Sequence, residues 1–437
     1  MNLSSRKSIL VWLAVAALCS NAAAELIPVP EFADHPIPTT SVPQGDTGLW
    51  EVVSVLLLTV AIGLASYFAL IQRSRRKLLI LTIGCLIWFG FVRQGCVCSI
   101  GATQNVALAF GDPGYVVPLS VIAIFTLPLV FTLFFGRTFC ASVCPLGAIQ
   151  ELVSVRSVRV PRWLDEALGL LAYIYLGAAL VFAYSGTAFL ICRYDPFVGF
   201  FRLGGNANMM IFGACLLLIG LFVGRPYCRY LCPYGAVLRV LSRFSKWHVR
   251  IPPTECINCR LCEDSCPYGA IHPPTVAQDS EHRQQGKRRL GLLLLAAPVL
   301  VAVMAGLATL WAIPLSHLHP TVQLAEQVRL EELGEAETTT DASDAFRNTG
   351  QDKTELYEEA LDIRLKFRRF GGLLGGWIGL VLAIKLLHLS IRRQRVDYHP
   401  DQSGCVSCGR CFLSCPVEQV RLGLIEDVSE VVPEMNQ

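Results

Sequence analysis

Seven long apolar runs alternate with short polar segments along the chain. They cover residues 49–71, 78–92, 116–135, 168–184, 209–223, 290–313 and 370–389. Several approach the roughly 20 residues that an α-helix needs to span a bilayer, whereas the second and fifth runs are short. Short spans favour half-inserted loops beside them. The pattern predicts an all-α polytopic membrane protein with about seven spans.

The first 24 residues have the three parts of a secretory signal peptide. Arg6 and Lys7 precede an apolar stretch over residues 9–18, and residues 21–24 are Asn-Ala-Ala-Ala. We expect cleavage after Ala24, and the alternative is an uncleaved membrane anchor. In both cases the proline-rich residues 25–48 lie outside the cytoplasm.

Basic blocks indicate how the spans are oriented. The chain starts outside, so the first span places the basic block at residues 73–77 in the cytoplasm. Counting the later spans places the basic residues of 225–250 there as well. Cytoplasmic loops of membrane proteins are enriched in Lys and Arg. The sequence therefore predicts a multi-pass protein of the bacterial inner (cytoplasmic) membrane. One basic block, at residues 364–369, disagrees with this orientation.

The predicted periplasmic loop 314–369 is the longest polar segment between two spans. It mixes helix-forming residues with three consecutive threonines at residues 338–340. This pattern predicts two amphipathic helices joined by a loop. A solvated spacer and a docking surface for a partner are both open interpretations.

Composition supports the membrane assignment and adds a metal cofactor to it. The chain is 53% hydrophobic and 16% charged, against about 25% charged in ordinary soluble domains. Its 18 cysteines are crowded into short motifs. The net charge of +3 is small, and the basic residues form topogenic blocks, so we expect no nucleic-acid partner.

A 15-residue segment occurs twice, at residues 135–149 and 223–237, with an offset of 88 residues. Each copy carries Arg-x-aromatic-Cys-x3-Cys-Pro at the end of a predicted span. Both copies begin and end on the same side, and such parallel repeats imply a pseudo-two-fold axis along the membrane normal. The two turns are therefore expected to face each other at the inner membrane edge. Their cysteines are Cys140, Cys144, Cys228 and Cys232.

The proline after the second cysteine of each copy predicts the local structure. Proline disfavours a helical residue before it and suits the first helical position, so Cys144 and Cys232 are expected to precede new amphipathic helices. A thiolate is stabilised there by the helix dipole and by neighbouring arginines. Four thiolates match the ligand number of an iron-sulfur cluster or a tetrahedral metal. We expect a shared cluster; separate sites and a redox-active or structural thiol pair stay open.

The motif C-x2-C-x2-C-x3-C-P occurs at residues 256–267 and again at 405–416, and is typical of bacterial ferredoxins. The first three cysteines of such a run bind one [4Fe-4S] cluster and the fourth binds the other. The predicted ligand sets are Cys256, Cys259, Cys262 with Cys415, and Cys405, Cys408, Cys411 with Cys266. Zinc ribbons separate their cysteine pairs by a longer stretch, which argues against zinc.

The two ferredoxin runs are far apart in sequence, because 138 residues and two predicted spans separate Cys266 from Cys405. Two crossings restore the side, so we expect a small α+β ferredoxin domain that is cytoplasmic and split by a transmembrane hairpin. The second run continues Val-Glu-Gln where the first has Tyr-Gly-Ala. The predicted order is a signal peptide 1–24, a periplasmic segment 25–48, a five-span core 49–250, a first ferredoxin half 251–281, a hairpin 282–399 and a second half 400–437.

Six cysteines lie outside these motifs. Cys19 belongs to the signal peptide, and Cys85 and Cys215 lie within predicted spans, where they are most simply core residues. Cys96, Cys98 and Cys192 are predicted on the outer face. An oxidising compartment favours a disulfide there. An outer redox or metal site and free thiols are the alternatives.

Several cofactor classes lack their sequence signals. The chain has no C-x-x-C-H, and of its eight histidines only His388 lies in a predicted span, so we expect no haem. Residues 100–103 resemble a covalent flavin attachment sequence, but Ile100 replaces the hydroxyl residue, so FMN at Thr103 is not expected. No glycine-rich nucleotide loop is present, which argues against direct use of NADH or ATP.

Taken together, the paired Arg-x-aromatic-Cys-x3-Cys-Pro segments and the double ferredoxin run resemble the NosR/NapH group of membrane polyferredoxins. The resemblance covers about residues 50–280 and 400–420. It implies electron transfer between the quinol pool, or a cytoplasmic reductant, and a periplasmic reductase or its maturation system. NosR-like chains carry a large periplasmic flavin domain, where this chain has about 24 residues before its first span. The resemblance therefore implies a flavin- or haem-carrying periplasmic partner.

Three functions are compatible with the sequence. The leading hypothesis is a one-electron conduit, with quinol dehydrogenase activity as one form, in which the protein sets cluster potentials by burial and hydrogen bonding. The second is an accessory protein that reduces a metal or a disulfide during assembly of a periplasmic enzyme. The third is a redox-sensing regulator whose clusters report the redox state.

Overall fold

The computed structural model describes residues 48–95, 97–155, 158, 160–251, 256–275, 283–335, 339–391, 395, 398–428 and 431. The predicted signal peptide, Cys19 and Cys96 lie outside these residues. Within them the chain is mostly helical, and the sheet found there consists of two short antiparallel strands.

Each of the seven apolar runs carries a helix in the structure. The helices are α1 (Gly48–Leu70), α2 (Arg75–Cys85) with a π-helical continuation (Leu86–Val92), α4 (Leu119–Phe135), α7 (Arg162–Tyr184), α10 (Ala207–Gly220), α14 (Arg283–Ser316) and α17 (Lys353–Ser390). Among the described residues, α1, α7, α14 and α17 are long and apolar enough to cross a membrane, and α4 and α10 are shorter apolar helices. The structure is that of a helical membrane protein, and the seven-span topology stays a prediction.

Short helices fill the segments between these apolar helices. They are α3 (Ser99–Gly111), α5 (Thr138–Ser142), α6 (Pro145–Val153), α8 (Leu190–Arg193), α9 (Val198–Phe201), α11 (Pro226–Tyr230) and α12 (Pro233–Ser242). The cysteine-rich segments form α13 (Leu261–Asp264), β1 (Ile271–His272), β2 (His399–Pro400), α18 (Arg410–Ser414) and α19 (Pro416–Arg421).

The segment before α10 reaches deep into the helical core. Phe197 is fully buried and packs edge-on against Tyr227, with ring centroids 5.5 Å apart. Tyr227 adjoins Cys228 of the second repeat, whereas Phe197 comes from the predicted outer loop. This contact is of the kind that a half-inserted loop beside a short span makes.

Helices α14 and α17 pack closely as a hairpin because glycines line their contact. A Cβ built on Gly375 would overlap Ala308, and one on Gly379 would lie 2.8 Å from the Cα of Val301. Small residues allow helix backbones to approach in this way. Trp377 of the same hairpin packs against Gly177 of α7 and donates from Nε1 to the carbonyl of Tyr173 at 2.8 Å. The hairpin is thereby fastened to the rest of the helical core.

The predicted outer loop 314–369 forms three helical segments, where the sequence predicted two. These are α15 (Pro320–Glu332), α16 (Asp341–Thr349) and the first turns of α17, which begins at Lys353. Their apolar faces share a small core of Val322, Ala325, Val328, Phe346, Leu356 and Ala360. Thr340, in the predicted break, caps α16 through a reciprocal bond with Ser343.

The early start of α17 gives a physical reason for the basic block that disagreed with the orientation. Arg364 lies 3.2 Å from Glu326 of α15, and Lys366 lies 2.7 Å from Asp362. These basic residues therefore have acidic neighbours within the same helical unit.

The two cysteine-rich segments meet despite their separation in sequence. Strand β1 pairs with β2 in an antiparallel register, with Ile271 opposite Pro400 and His272 opposite His399. The N–H of Asp401 also donates to the carbonyl of Ala270 at 2.7 Å. The hairpin of α14 and α17 is thus an insertion between two segments that are adjacent in space.

Replacement of Gly177 by valine is expected to destabilise the protein by about 1–3 kcal/mol, because the new side chain overlaps Trp377. Thermal unfolding of the purified protein in detergent measures the change. Gly63→Ala is the matched control, since a Cβ at Gly63 meets no atom within 4 Å. Equal melting temperatures for the two variants would contradict the packing described for Trp377.

Candidate iron-sulfur sites

Both ferredoxin-type runs fold into the same backbone turn. Asn258 and Ser407, each two residues after the first cysteine, have a φ of 55°. Arg260 and Gly409, each directly after the second cysteine, have φ values of 64° and 75°. Such left-handed residues direct neighbouring N–H groups toward a common concave centre. In the second run, the N–H of Ser407 donates to the sulfur of Cys405 at 3.5 Å.

Four cysteines line the first cavity, and we call them sulfur group A. They are Cys256, Cys259, Cys262 and Cys415, and the walls around them include Ile251, Ile257, Tyr398 and Val417. Burial raises the pKa of the Cys262 thiol to about 12, and Cys415 makes the largest electrostatic contribution. The fourth cysteine of the second run therefore joins the first three cysteines of the first run.

Sulfur group B lines the second cavity and has the reciprocal composition. It consists of Cys266, Cys405, Cys408 and Cys411, with Val249, Ala270, Ile271 and Val406 among the apolar lining. Burial raises the pKa of the Cys405 thiol to about 12, and Cys408 and Cys266 add to the shift. The structure thus brings together the residues of each predicted ligand set. The binding of a cluster by either group stays a prediction.

The four cysteines of the repeated segment form sulfur group C. They are Cys140, Cys144, Cys228 and Cys232, which are mutual electrostatic neighbours. Cys144 directly precedes α6 and Cys232 directly precedes α12, each with proline at the first helical position, as predicted. Burial raises the pKa of the Cys228 thiol to about 11.

Three sulfurs of group C accept hydrogen bonds. Gly235 donates from its N–H to Cys232 at 3.2 Å, and Gly147 occupies the matching position after Cys144 in the first repeat. The other two contacts come from side chains: Gln150 donates to Cys228 at 3.3 Å, and Arg137 donates to Cys140 at 3.8 Å. Hydrogen bonds to sulfur stabilise thiolates and tune cluster potentials.

The donor chemistry of the three groups fits iron-sulfur clusters. Burial and neighbouring thiols both disfavour the anionic form of a cysteine. Metal coordination reverses this preference, because a metal deprotonates its thiol ligands and supplies the compensating positive charge. Among the described residues, no three His, Cys, Asp or Glu side chains are arranged for a single metal ion.

The three sulfur groups follow one another in space. Cys411 of group B is an electrostatic neighbour of Cys262 of group A. Cys140 of group C packs into the apolar cluster that contains Cys266 and Cys405 of group B. The order is therefore A, B, C, and group B lies between the other two.

A buried carboxylate lies where groups B and C meet. The side chain of Glu151 has no exposed surface and accepts hydrogen bonds from Arg225 at 2.9 Å and from Arg410 at 2.7 Å. Arg75 also pairs with it, and Tyr268 donates to it at 2.9 Å. Burial opposes its ionisation, but the three arginines outweigh that effect and hold the pKa of Glu151 well below its usual value.

The partners of Glu151 come from separate parts of the chain. Arg75 begins α2, Arg225 belongs to the second repeat, Tyr268 follows the first cysteine run and Arg410 lies in the second run. Arg225 further donates to the carbonyl of Cys140, and Arg75 donates to the carbonyl of Cys408 at 3.0 Å. Glu151 therefore joins the helical core to both cysteine-rich segments.

The role of Glu151 was not predicted from the sequence. A signal was present, because Glu151 and Arg239 stand at matching positions, each seven residues after the second cysteine of its Cys-x3-Cys-Pro motif. An opposite charge at matching positions indicates that the two copies have different neighbours. The identity of those neighbours depends on long-range folding and is not visible in the repeat.

The cysteines predicted on the outer face are described for two of the three positions. Cys98 precedes α3 and receives a hydrogen bond from the N–H of Gly101 at 3.4 Å. The sulfur of Cys192 lies 3.3 Å from an ideal Cβ at Gly101. Asp195 is an electrostatic neighbour of both thiols. Cys98 and Cys192 therefore both lie beside Gly101, and Cys96 lies outside the described residues.

The remaining residues noted in the sequence occupy less informative places. Cys85 is buried and Cys215 is half-buried, as expected for residues of apolar helices. Thr103 is buried in α3, and its hydroxyl donates to the carbonyl of Ser99 at 3.3 Å.

Comparisons with known proteins agree with the chemistry of these groups. A family model described as a 4Fe-4S binding domain matches residues 117–163 and 206–252. Each matched stretch contains one Cys-x3-Cys-Pro motif. A second 4Fe-4S binding domain model matches residues 249–272, which hold the first ferredoxin-type run. No solved structure matches the chain.

Three relatives illustrate how much of the chain is shared. Protein NirI of Paracoccus denitrificans is 33% identical over 51% of this chain and 35% of its own length. Regulatory protein NosR of Stutzerimonas stutzeri is 26% identical over 51% of this chain and 33% of its own length. Uncharacterized protein MJ0750 of Methanocaldococcus jannaschii is 30% identical over 41% of this chain and 77% of its own length. The chain thus spans about a third of the length of NirI and NosR.

Replacement of Glu151 by alanine is expected to lower the free energy of unfolding by about 3–5 kcal/mol, because three guanidinium groups lose their buried counter-charge. Chemical denaturation of the purified protein measures this loss. The exposed Glu359 provides the matched control, and Glu359→Ala is expected to change stability by less than about 0.5 kcal/mol. Similar stabilities for the two variants would show that Glu151 does not hold the segments together.

Proposed function

Because this chain belongs to the NosR/NapH-type membrane polyferredoxins, we propose that it carries electrons between quinol or a cytoplasmic donor and a periplasmic reductase or its maturation system. An iron-sulfur redox role is common to the family and to the matched 4Fe-4S binding domains. The donor, the acceptor and the inner-membrane location are parts of the proposal.

The succession of sulfur groups A, B and C is the observation that carries the proposal. Groups A and B each combine three cysteines of one run with the fourth of the other, as two-cluster ferredoxins do. Bound [4Fe-4S] clusters supply one-electron transfer. The residues of this chain hold the clusters in sequence, exclude water from them and donate hydrogen bonds to their sulfur ligands.

The order of domains supports an electron carrier whose ferredoxin domain lies at the inner face of the membrane. In the proposal, residues 49–250 form the membrane core, and residues 251–281 and 400–437 form one cytoplasmic ferredoxin domain. Residues 282–399 form the inserted hairpin with its periplasmic helical unit. In the proposed seven-span topology, group C lies at the inner edge of the membrane, between the ferredoxin domain and the core.

Cys98 and Cys192 supply the outward end of the path in this proposal. A membrane core about 30 Å thick is too wide for direct electron transfer, so an intermediate site is required. The half-inserted segment that holds Asp195 reaches Tyr227, which is an electrostatic neighbour of Asp195 and of Cys228. Group C and the Cys98–Cys192 pair are thereby joined by buried side chains.

The same two thiols favour a second candidate function. Two cysteines beside a carboxylate suit the reduction of a metal ion or a disulfide during assembly of a periplasmic enzyme. Cu²⁺ reduction distinguishes the two functions. Its loss in Cys98→Ser and Cys192→Ser, with unchanged cluster spectra and unchanged electron delivery to other acceptors, would favour the assembly role.

Iron and sulfide counting on anaerobically purified protein tests the proposal directly. We expect about 12 iron atoms for three clusters, whereas about 8 would correspond to groups A and B alone. Cys228→Ser is expected to remove about 4 iron atoms, because group C loses a ligand. Cys215→Ser is the matched control and should retain the native content. A Cys228→Ser variant with the native iron content would show that group C binds no cluster.

Electron transfer across the membrane of sealed vesicles tests the outward end of the electron path. With dithionite trapped inside and ferricyanide outside, we expect the native protein to reduce ferricyanide. Cys98→Ser and Cys192→Ser should lower the rate at least about tenfold, since each removes one thiol of the outward site. Cys215→Ser should match the native rate. Native rates in all three variants would exclude Cys98 and Cys192 from the path.

A further inference from the structure

We propose that Glu151 and the arginines around it give sulfur group B a higher reduction potential than group A, so that electrons enter at A and move toward the membrane core. The inference rests on the proposed function and adds a direction to it. Glu151 and its arginines act as positioning residues, because the hydrogen bonds found for these side chains join them to one another and to backbone carbonyls.

Positive charge dominates the surroundings of group B. Arg75 donates to the carbonyl of Cys408, and Arg225 and Arg410 are electrostatic neighbours of the same cysteine. Arg137 donates to the carbonyl of Ser403 at 3.3 Å and acts electrostatically on Cys405.

Negative charge near group B is smaller. Glu151 is a neighbour of Cys408, and Asp401 accepts hydrogen bonds from Ser403 and from the N–H of Gly404. In the part of the chain that the structure describes, four guanidinium groups against two carboxylates leave a net charge of +2 around group B.

Charges near group A nearly cancel. Arg73 lies 2.8 Å and Arg421 3.7 Å from Glu418, whose carboxylate acts on Cys415. Arg260 and Glu263 add one positive and one negative charge beside Tyr398, which lines the cavity of group A. Among the described residues, three guanidinium groups against two carboxylates leave a net charge of +1 around group A.

The sign of the effect follows from the charge of the added electron. Positive neighbours stabilise the reduced state of a cluster and raise its potential, and a larger net positive charge raises it further. Burial acts in the opposite direction, and it is deeper at group B, because Cys405, Cys408 and Cys411 are more fully enclosed than Cys262 and Cys415 of group A. In the proposal, the difference in fixed charge outweighs this difference in burial and decides the order of potentials.

Glu151 limits this positive charge. Its carboxylate neutralises one of the three arginines that surround it, and their guanidinium groups stay charged at all physiological pH values. Group B lies beside Cys140 of group C, so its higher potential draws electrons from the ferredoxin segments toward the membrane core. A donor at the cytoplasmic face therefore reduces group A first.

Potentiometric titration followed by EPR on the anaerobically purified full chain tests this inference. We expect two ferredoxin-type signals with different midpoint potentials. Arg410→Gln should lower only the higher midpoint, and Glu151→Gln should raise only that one. Glu418→Gln should raise only the lower midpoint. At a fixed ambient potential, each single charge change should alter the reduced-to-oxidised ratio about tenfold.

Arg347→Gln is the matched control, because Arg347 pairs with Glu331 in the helical unit of α15 and α16, and it should shift neither midpoint. If Glu151→Gln does not fold, Arg410→Gln decides, since Arg410 is partly exposed. The inference would be overturned if the higher midpoint responded to Glu418→Gln, or if neither midpoint responded to Arg410→Gln. Either result would leave the proposed function intact. Native protein without any iron-sulfur signal would overturn both.

Discussion

The ionised carboxylate of Glu151 is the interaction on which the arrangement of the sulfur groups depends. A buried charge is costly unless it is paired and fully hydrogen-bonded. Arg75, Arg225, Arg410 and Tyr268 satisfy that requirement together, and each belongs to a different stretch of the chain. Their assembly around one carboxylate fixes the ferredoxin-type segments against the helical core. This ionic network thereby holds groups B and C at a fixed separation.

The hairpin of α14 and α17 is compatible with this network because its own contacts are local. Its glycines pack the two helices on each other, and Trp377 fastens the pair to α7. Strand β1 pairs directly with β2, although the hairpin separates the two strands in sequence. An insertion of more than a hundred residues therefore leaves the pairing of the cysteine-rich segments unchanged.

The sequence predicted the helical membrane protein and the 4Fe-4S chemistry because both depend on short patterns. Each apolar run is long enough to be recognised on its own. Pro145, directly after Cys144, favours a helix start from local sequence alone. Half-inserted loops beside the short spans were expected, but the particular contact of Phe197 with Tyr227 and the early start of α17 were not predicted. Both result from contacts between residues that are distant in sequence, and Glu151 was missed for the same reason.

The reciprocal composition of groups A and B also has a consequence for biosynthesis. Group A takes Cys415 and group B takes three cysteines from the second run, which is translated after both helices of the hairpin. A nascent chain that ends before residue 405 holds three cysteines of group A and one of group B, so neither set of four is complete, however well its first spans have inserted. Groups A and B are therefore complete only in molecules that have been translated through the second run, which distinguishes finished molecules from truncated ones.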